Sequence, residues 1–330
     1  MSKVSKKNIA FITPEFFGIE KSLINAMEAE GHKVLWFDER SVKSSFARAI
    51  NSVSSIFFRQ YSERYYKKII SSISIQLDLI IIVKGEMVSE KTIKRLRETF
   101  PKAELILYLW DPIKNIKGIL PKIKLYDRVI SFEPKDCKKY GLEFRPLFTD
   151  IEKKDGEFQT QSKDKYKISF YGTMYGDRFY IVYLMREYCK RNNISFYSFC
   201  YLRGKFMSLY YYITNKGFRK LGKDSISFKA KTSSEISQIL DSTEIILDVN
   251  DKYQEGLTLR TLETLYNGKK MITTNADIIN YDFYNKKNIL VIKRNEIVIP
   301  KEFLNSKYES IPNEVLEKYT AKGWVKDVIK

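Results

Sequence analysis

Short apolar runs alternate with amphipathic stretches along most of the chain. Residues 8–13 (NIAFIT) read as a buried strand, followed by a turn through 14–18 and a helix over 20–30 that Gly31 ends. Residues 33–38 (KVLWFD), 77–83 and 104–110 read as further strands, with a charged helix over 89–100 between the last two and Pro101 after it. A short strand over 129–132 follows. The second half repeats the plan. Strands at 167–171, 194–199, 244–249, 271–274 and 288–292 alternate with helices at 179–192, 233–240 and 257–266. Thr232 and Glu235 make a capping box for the second of these helices, and Gly268 closes the third. Strands separated by helices of this length predict parallel sheets with crossover helices. The expected fold is α/β, with two Rossmann-like, doubly wound domains facing a cleft at the carboxyl ends of their strands.

A length of 330 residues accommodates two such domains of roughly 150 residues each. Residues 1–150 make the first. The stretch 151–165, polar and poor in large apolar residues, marks a linker, and 166–305 make the second domain. A helical tail over 306–330 is expected to pack back on the first domain. With 44% hydrophobic and 30% charged residues the composition is globular. The apolar runs are far shorter than the roughly 20 residues of a membrane-spanning helix. The basic start of the chain has no apolar signal core behind it, so a cytoplasmic location is expected.

Several chemistries are disfavoured. His32 is the single histidine, which leaves no material for Ser-His-Asp triads or multi-histidine metal sites. Cys137, Cys189 and Cys200 lack ligand spacing, and no Asp-x-Asp stands at a strand end, so no metal or other cofactor is required. Neither half carries G-x-G-x-x-G or a P-loop. The formal charge of +18 attracts phosphate in nucleic acid, lipid headgroups or nucleotide sugars alike.

Residues 248–275 (DVNDKYQEGLTLRTLETLYNGKKMITTN) carry the strongest chemical signal. A strand ends near Asn250, a polar loop follows, and a helix is expected from about Gly256 or Leu257. Its first amides, over 256–259, would lack helical partners and sit at the positive end of the helix dipole, a ready diphosphate site. Gly256 leaves room for close approach. Arg260, Glu263 and Asn267 share one helix face. Arg260 can neutralise phosphate, and the Glu263 carboxylate can accept from vicinal ribose hydroxyls. The plainer alternative is a surface ion pair between Arg260 and Glu263. FYGTMYGDR at 170–178 forms a second loop, in which Thr173 and Arg178, with Gly172 and Gly176 at the turn, can contact the same diphosphate or simply join a strand to a helix. In the first half, PEFFG at 14–18 (Glu15, Phe17, Gly18) follows the first strand. Asp111 follows the strand ending at Trp110, where it can orient or deprotonate an acceptor hydroxyl or cap the segment before Pro112. Glu15 and Glu133 are further candidates for that role.

Glu255 and Glu263 match the E-x7-E element of glycosyltransferases with the two-Rossmann, or GT-B, architecture. GLTLRTLETLYNGKKMITTN, YDFYNKKNILVI, YLWDPIKN at 108–115 and FYGTMYGDR resemble the CgeB-like group of bacterial glycosyltransferases of capsular and lipopolysaccharide gene sets. The resemblance covers most of the chain and is strongest over 168–292. It implies a nucleotide-diphosphate sugar as donor, a growing and lipid-linked glycan as acceptor, and a retaining outcome. Glu263 would hold the ribose and Glu255 would lie near the donor sugar. The amides of Gly256, Leu257 and Thr258 with the Arg260 side chain would hold the diphosphate, and the first domain would serve the acceptor.

Two basic, aromatic stretches remain, 57–70 and 203–223, the latter with six cations and no acid. They suit an anionic membrane interface, single-stranded nucleic acid, or inward-packed amphipathic helices. The lipid-linked acceptors of the resembled group favour the membrane, so the expected place is the inner face of the cell membrane. A nucleotide-sugar epimerase on the same scaffold, or a non-catalytic nucleic-acid or surface-binding protein, are the competing readings.

Overall fold

The computed structural model of the protein describes residues 5–15, 18–40, 55–149 and 165–330, with the backbone alone for 55–59. The chain divides into two compact units, Met1–Asp150 together with Lys318–Lys330, and Ile151–Glu317. Each is built on a six-stranded sheet in which every pairing is parallel. This is the pair of Rossmann-like domains of the GT-B fold. Of the linker expected at 151–165, only Lys165 falls within the described residues.

The first sheet comprises β1 (Asn8–Thr13), β2 (Lys33–Asp38), β3 (Leu79–Val83), β4 (Glu104–Leu109), β5 (Arg128–Ser131) and β6 (Glu143–Phe144), in the order β2-β1-β3-β4-β5-β6. β3, LIIIV, is buried at every position because helices cover both faces of a parallel sheet. Apolar clusters fill both faces, one around Ile80, Ile82 and Leu107, the other around Phe11, Ile81 and Ile106. The end of the chain completes the second cluster. The Ala321–Val328 helix packs against the Ile19–Ala29 helix, and Trp324, with no exposed surface, meets the Tyr108 ring edge-on at 5.2 Å. Residues 318–330 therefore belong to the first unit, whereas 306–317 stay with the second.

The second sheet comprises β7 (Tyr166–Thr173), β8 (Phe196–Tyr201), β9 (Ile226–Ser227), β10 (Thr243–Asp248), β11 (Lys270–Thr273) and β12 (Ile289–Val291), in the order β12-β11-β10-β7-β8-β9. Strand order reverses between β7 and β10, just as it does between β1 and β3 in the first sheet. Ligands of doubly wound sheets settle beyond the carboxyl ends of the strands at such a reversal, where loops diverge to opposite faces and leave a crevice.

The strand positions expected from hydropathy lie within two residues of those observed. β6 and β9 escaped notice because two residues carry no period. The capping box at Thr232 and Glu235 is formed, with both reciprocal bonds present. His32 is buried and its Nδ1 accepts from the Lys7 amide at 3.2 Å, a structural role. All three cysteines are buried and free. No described helix is long and apolar enough to cross a membrane.

Candidate functional site

The loops that leave β7 and β10 flank the reversal of the second sheet, and they carry most of the residues singled out by sequence. The helix after β10 spans Leu259–Tyr266 and begins later than expected, because Thr258 is its N-cap. Thr258 Oγ1 accepts from the Thr261 amide at 3.1 Å. The first-turn amides are consequently those of residues 259–261 and not 256–259, and one of them is already satisfied by the cap. Gly256 and Leu257 are buried ahead of the helix, and the Leu257 side chain is part of the core. Gly256 accepts from Gln254 Nε2 through its carbonyl, at 3.1 Å. Glu255 is half-buried, and its carbonyl accepts from Asn275 Nδ2 at 2.8 Å.

One carboxylate organises the loop. Asp248, the last residue of β10, has no exposed surface. Its Oδ1 accepts from Thr258 Oγ1 at 3.0 Å and from Arg260 Nη1 at 3.1 Å, and its Oδ2 accepts from Thr261 Oγ1 at 2.9 Å. The Arg260 guanidinium lies over the rings of Tyr171 and Phe170, 4.9 and 5.3 Å from their centroids. It also covers Gly172, where an added Cβ would land on Arg260 Nη2. The cation occupies the space of a side chain, and the backbone φ of +151° favours glycine there in its own right. Glu263 accepts from the hydroxyl of the same Tyr171 at 2.8 Å. The surface ion pair between Arg260 and Glu263 is not formed: each has its own partner.

Arg178 opens the Arg178–Arg191 helix after β7 and is buried. It donates to the Thr173 carbonyl at 2.9 Å and stacks on Tyr175 at 4.1 Å. Among the described residues no carboxylate pairs with it. Burial, reinforced by the like charge of Arg260, pulls its pKa down to about 10. The Nε atoms of Arg178 and Arg260 are both buried without a hydrogen-bond partner. Two buried guanidiniums that repel one another, each with a donor to spare, are stabilised by an anion carrying several oxygens. A cavity of about 550 Å³ opens on the far side of Tyr175, the ring on which Arg178 stacks; it is lined by Tyr175, Gly176, Asp177, Lys252 and Tyr253 among others, and neither guanidinium lines it.

Three contributors were not singled out in the sequence. Asp248 and Tyr171 are two. The third is Arg294, just beyond β12, which binds Asp177 through two bonds of 2.8 and 3.1 Å, the Asn250 carbonyl at 2.7 Å and Thr274 Oγ1 at 3.0 Å. Burial works against the Asp177 carboxylate, yet the Arg294 guanidinium outweighs it and holds the group below its usual range. Arg294 thereby ties together the loops after β7, β10 and β11. A signal existed for each: all stand at or just past the carboxyl end of a strand, and Asp248 is an acid closing an apolar run.

The remaining candidates belong to the first unit. Asp111 is half-exposed, 3.4 Å from Lys84 Nζ. It caps nothing, since Asp136 accepts from the Ile113 amide at 2.7 Å instead. Lys84 itself has a φ of +69° in the loop after β3. Glu15 is exposed, and its carbonyl accepts from Arg40. Gly18 starts the Ile19–Ala29 helix with a φ of +84°, and Phe17 lies outside the described residues. Glu133 is buried and caps the Pro134–Tyr140 helix through the Lys135 amide. In the Ser55–Ser72 helix, Tyr65 and Tyr66 face inward and donate to the carbonyls of Asp38 and Glu39 at 2.7 and 2.6 Å. The aromatic character of 57–70 therefore serves the core in part. Its exposed residues include Tyr61, Arg64, Lys67 and Lys68.

Two six-stranded parallel sheets of this order define the class of fold, and solved structures share it. The lipopolysaccharide outer core galactosyltransferase WaaB, in its apo form, superposes with a TM-score of 0.56 at 13% identity over 95% of both chains. Alr3699/HepE from Anabaena, solved with UDP and glucose, gives 0.57 at 10% identity over 98% of this chain and 99% of its own. The catalytic domain of starch synthase IV from Arabidopsis thaliana, bound to ADP and acarbose, gives 0.54 at 8% over 96% and 95%. No protein-family model matches the chain, and no curated protein matches it by sequence.

Proposed function

We propose that the protein is a glycosyltransferase that moves a hexose-like sugar from a nucleotide-diphosphate donor to a growing, lipid-linked surface glycan of the capsular, lipopolysaccharide or exopolysaccharide type. The observation that carries this reading is Arg178, a buried cation without an ion pair among the described residues, beside Arg260 at the reversal of the second sheet. A diphosphate bound there meets both guanidiniums, aided by Thr173 and Thr258 and by backbone at Gly172, Gly176 and the start of the 259–266 helix. Glu263 takes the ribose hydroxyls, and Glu255 faces the donor sugar. Charge on the leaving diphosphate grows as the glycosidic bond breaks, so cations fixed in place beforehand lower the barrier without reorganising. Asp111, with Glu15, Phe17 and Gly18, serves the acceptor in the first unit. The solved complexes of HepE with UDP and of starch synthase IV with ADP support a nucleotide-diphosphate donor without choosing its base.

The chemistry needs no metal or other cofactor in this reading. The E-x7-E element and the likeness of 168–292 to the CgeB-like group support a retaining outcome. A lipid-linked acceptor places the enzyme at the inner face of the cell membrane. There the cations of 57–70 and 203–223 meet anionic headgroups.

Thermal unfolding against a panel of nucleotide sugars and free nucleotides tests the donor. A ligand at 100 times its dissociation constant stabilises by about 2.7 kcal/mol, and the wild type should show such a shift with one nucleotide class. The Arg178→Ala variant should show none. Appearance of the donor's sugar in a new glycosidic bond then separates transfer from epimerisation. Absence of any shift across the panel would overturn the reading.

A further inference from the structure

The Lys205–Thr214 helix is oriented against the usual rule. A helix on a globular protein turns its i, i+3, i+4, i+7 apolar stripe toward the core. Here that stripe is Phe206, Leu209, Tyr210 and Ile213, and these are 93, 60, 55 and 69% exposed. The helix is held instead by its other side. Ser208 is buried, and the Tyr211 ring sits 4.9 Å from that of Phe179 and stacks on Phe218 at 6.4 Å. Arg219 Nη1 donates to the carbonyls of Tyr212 and Ile213, both at 2.9 Å, and so fixes the end of the helix in place. The exposed stripe is thus the display of a well-anchored helix.

Charge surrounds it on both sides. Arg203 and Lys205 precede the stripe, and Lys216, Arg219, Lys220 and Lys223 follow it, all exposed. No acid stands between Arg203 and Lys223. We propose that this helix inserts into an anionic bilayer. The four stripe residues enter the boundary between headgroups and acyl chains, and the flanking cations meet lipid phosphate. At ten residues the helix is about 15 Å long and lies in the interface without crossing it. Attraction by charge alone needs no outward stripe, and it is the stripe that distinguishes insertion from adsorption.

Other occupants fit less well. A second copy docked symmetrically would bring the same six cations against these. Single-stranded nucleic acid would stack on Phe206 and Tyr210 but gains nothing from Leu209 and Ile213. The inference rests on the exposure of this helix. It draws on the proposed function only for its purpose, access to a lipid-linked acceptor.

Vesicle co-sedimentation of the full chain tests it, with phosphatidylglycerol-rich against pure phosphatidylcholine vesicles at low salt and at 1 M salt. Salt at 1 M shortens electrostatic reach to about 3 Å and leaves the apolar part of binding. The wild type should pellet with anionic vesicles and keep a measurable fraction at 1 M salt. Phe206→Ser combined with Ile213→Ser should lower the partition coefficient at least tenfold at low salt and abolish binding at high salt. Its melting temperature should not change, since neither side chain is in the core. A Phe206→Trp variant should give emission that shifts to the blue on anionic vesicles and is quenched by brominated acyl chains. Binding that the serine variant retains in full, binding wholly removed by salt, or no vesicle binding would each overturn insertion. So would a wild-type dimer in sedimentation velocity that the serine variant dissolves, or single-strand binding that vesicles do not displace. Donor-induced thermal shifts in the same serine variant report on the proposed function separately. Vesicle binding that the serine variant retains, with the donor shift intact, overturns insertion and leaves the proposed function standing, whereas lost binding without any donor shift in variant or wild type does the reverse.

Discussion

Asp248 holds Arg260 at 3.1 Å from the end of β10, while the same carboxylate ties down Thr258 and Thr261. The acid has no exposed surface, so the pair is screened little by water. The N-cap, the helix start and the cation are therefore set by one side chain. Asp248→Ala should destabilise the protein by about 3–5 kcal/mol, because Arg260 would be left buried without its partner. Arg260→Ala should destabilise as well, since it leaves the fully buried Asp248 carboxylate with two hydroxyl donors and no cation. It should also lower kcat by roughly 10²–10³ with a smaller change in donor affinity. Denaturant titration and steady-state kinetics check the two. A change confined to KM would make Arg260 a uniform binder and void its assigned role.

Glu263→Ala should weaken nucleotide binding by about 1.5–3 kcal/mol, or roughly 10- to 100-fold, through loss of hydrogen bonds to the ribose. Tyr171→Phe removes only the hydroxyl that Glu263 accepts from, and should weaken it several-fold less. Calorimetric titration with the nucleotide that the thermal screen selects decides the point. Equal effects of the two variants would mean that Glu263 serves the tyrosine and not the ligand.

Gly172→Ala makes a sharp test of the arrangement. The added methyl would land on Arg260 Nη2, and φ at this position is +151°. The guanidinium is the end of a flexible side chain and can move, so the fold should survive. Displaced from its place, Arg260 should lose its effect. The variant should therefore lower kcat nearly as much as Arg260→Ala does, and the double variant should be no worse than either single one. Additive losses would separate the two residues.

Glu39, in the first unit, offers a pH dependence. It is buried, its Oε1 accepts from the Met87 amide at 2.7 Å, and burial raises its pKa from 4.5 to about 7. The folded state therefore prefers the protonated acid. That contribution is complete below about pH 4.5 and is lost as pH rises through 7. Glu39→Gln keeps an acceptor for Met87 and removes the titration. The wild type should lose about 3 kcal/mol of stability relative to this variant between pH 4.5 and pH 7.5. Parallel urea titrations at several pH values show it, and identical slopes would mean that Glu39 ionises freely.

The order of strands and helices was legible in the sequence because burial on both faces forces continuous apolar runs, and crossover helices force the spacing between them. Runs such as LIIIV at 79–83 admit little else. The two loops at 170–178 and 248–263 were legible for a related reason: glycine and polar residues interrupt the pattern where strands end. Tertiary structure decided the rest. The sequence put Arg260 and Glu263 on one helix face and left their mutual pairing open. Only folding brought Asp248 and Tyr171 close enough to take one each. The sequence marked Arg178 as a helix start, but that no described carboxylate pairs with it, Asp248 and Asp251 acting only at longer range, depends on what packs around it. The aromatic and apolar residues of 203–223 left open whether an amphipathic helix there packs them inward or displays them, and the structure turns the stripe of 206–213 outward, with Ser208 buried and Tyr211 against Phe179 and Phe218. A period reports which residues share a face. Which way the face turns depends on shape complementarity with neighbours far away in the chain, and that is fixed only when the core closes.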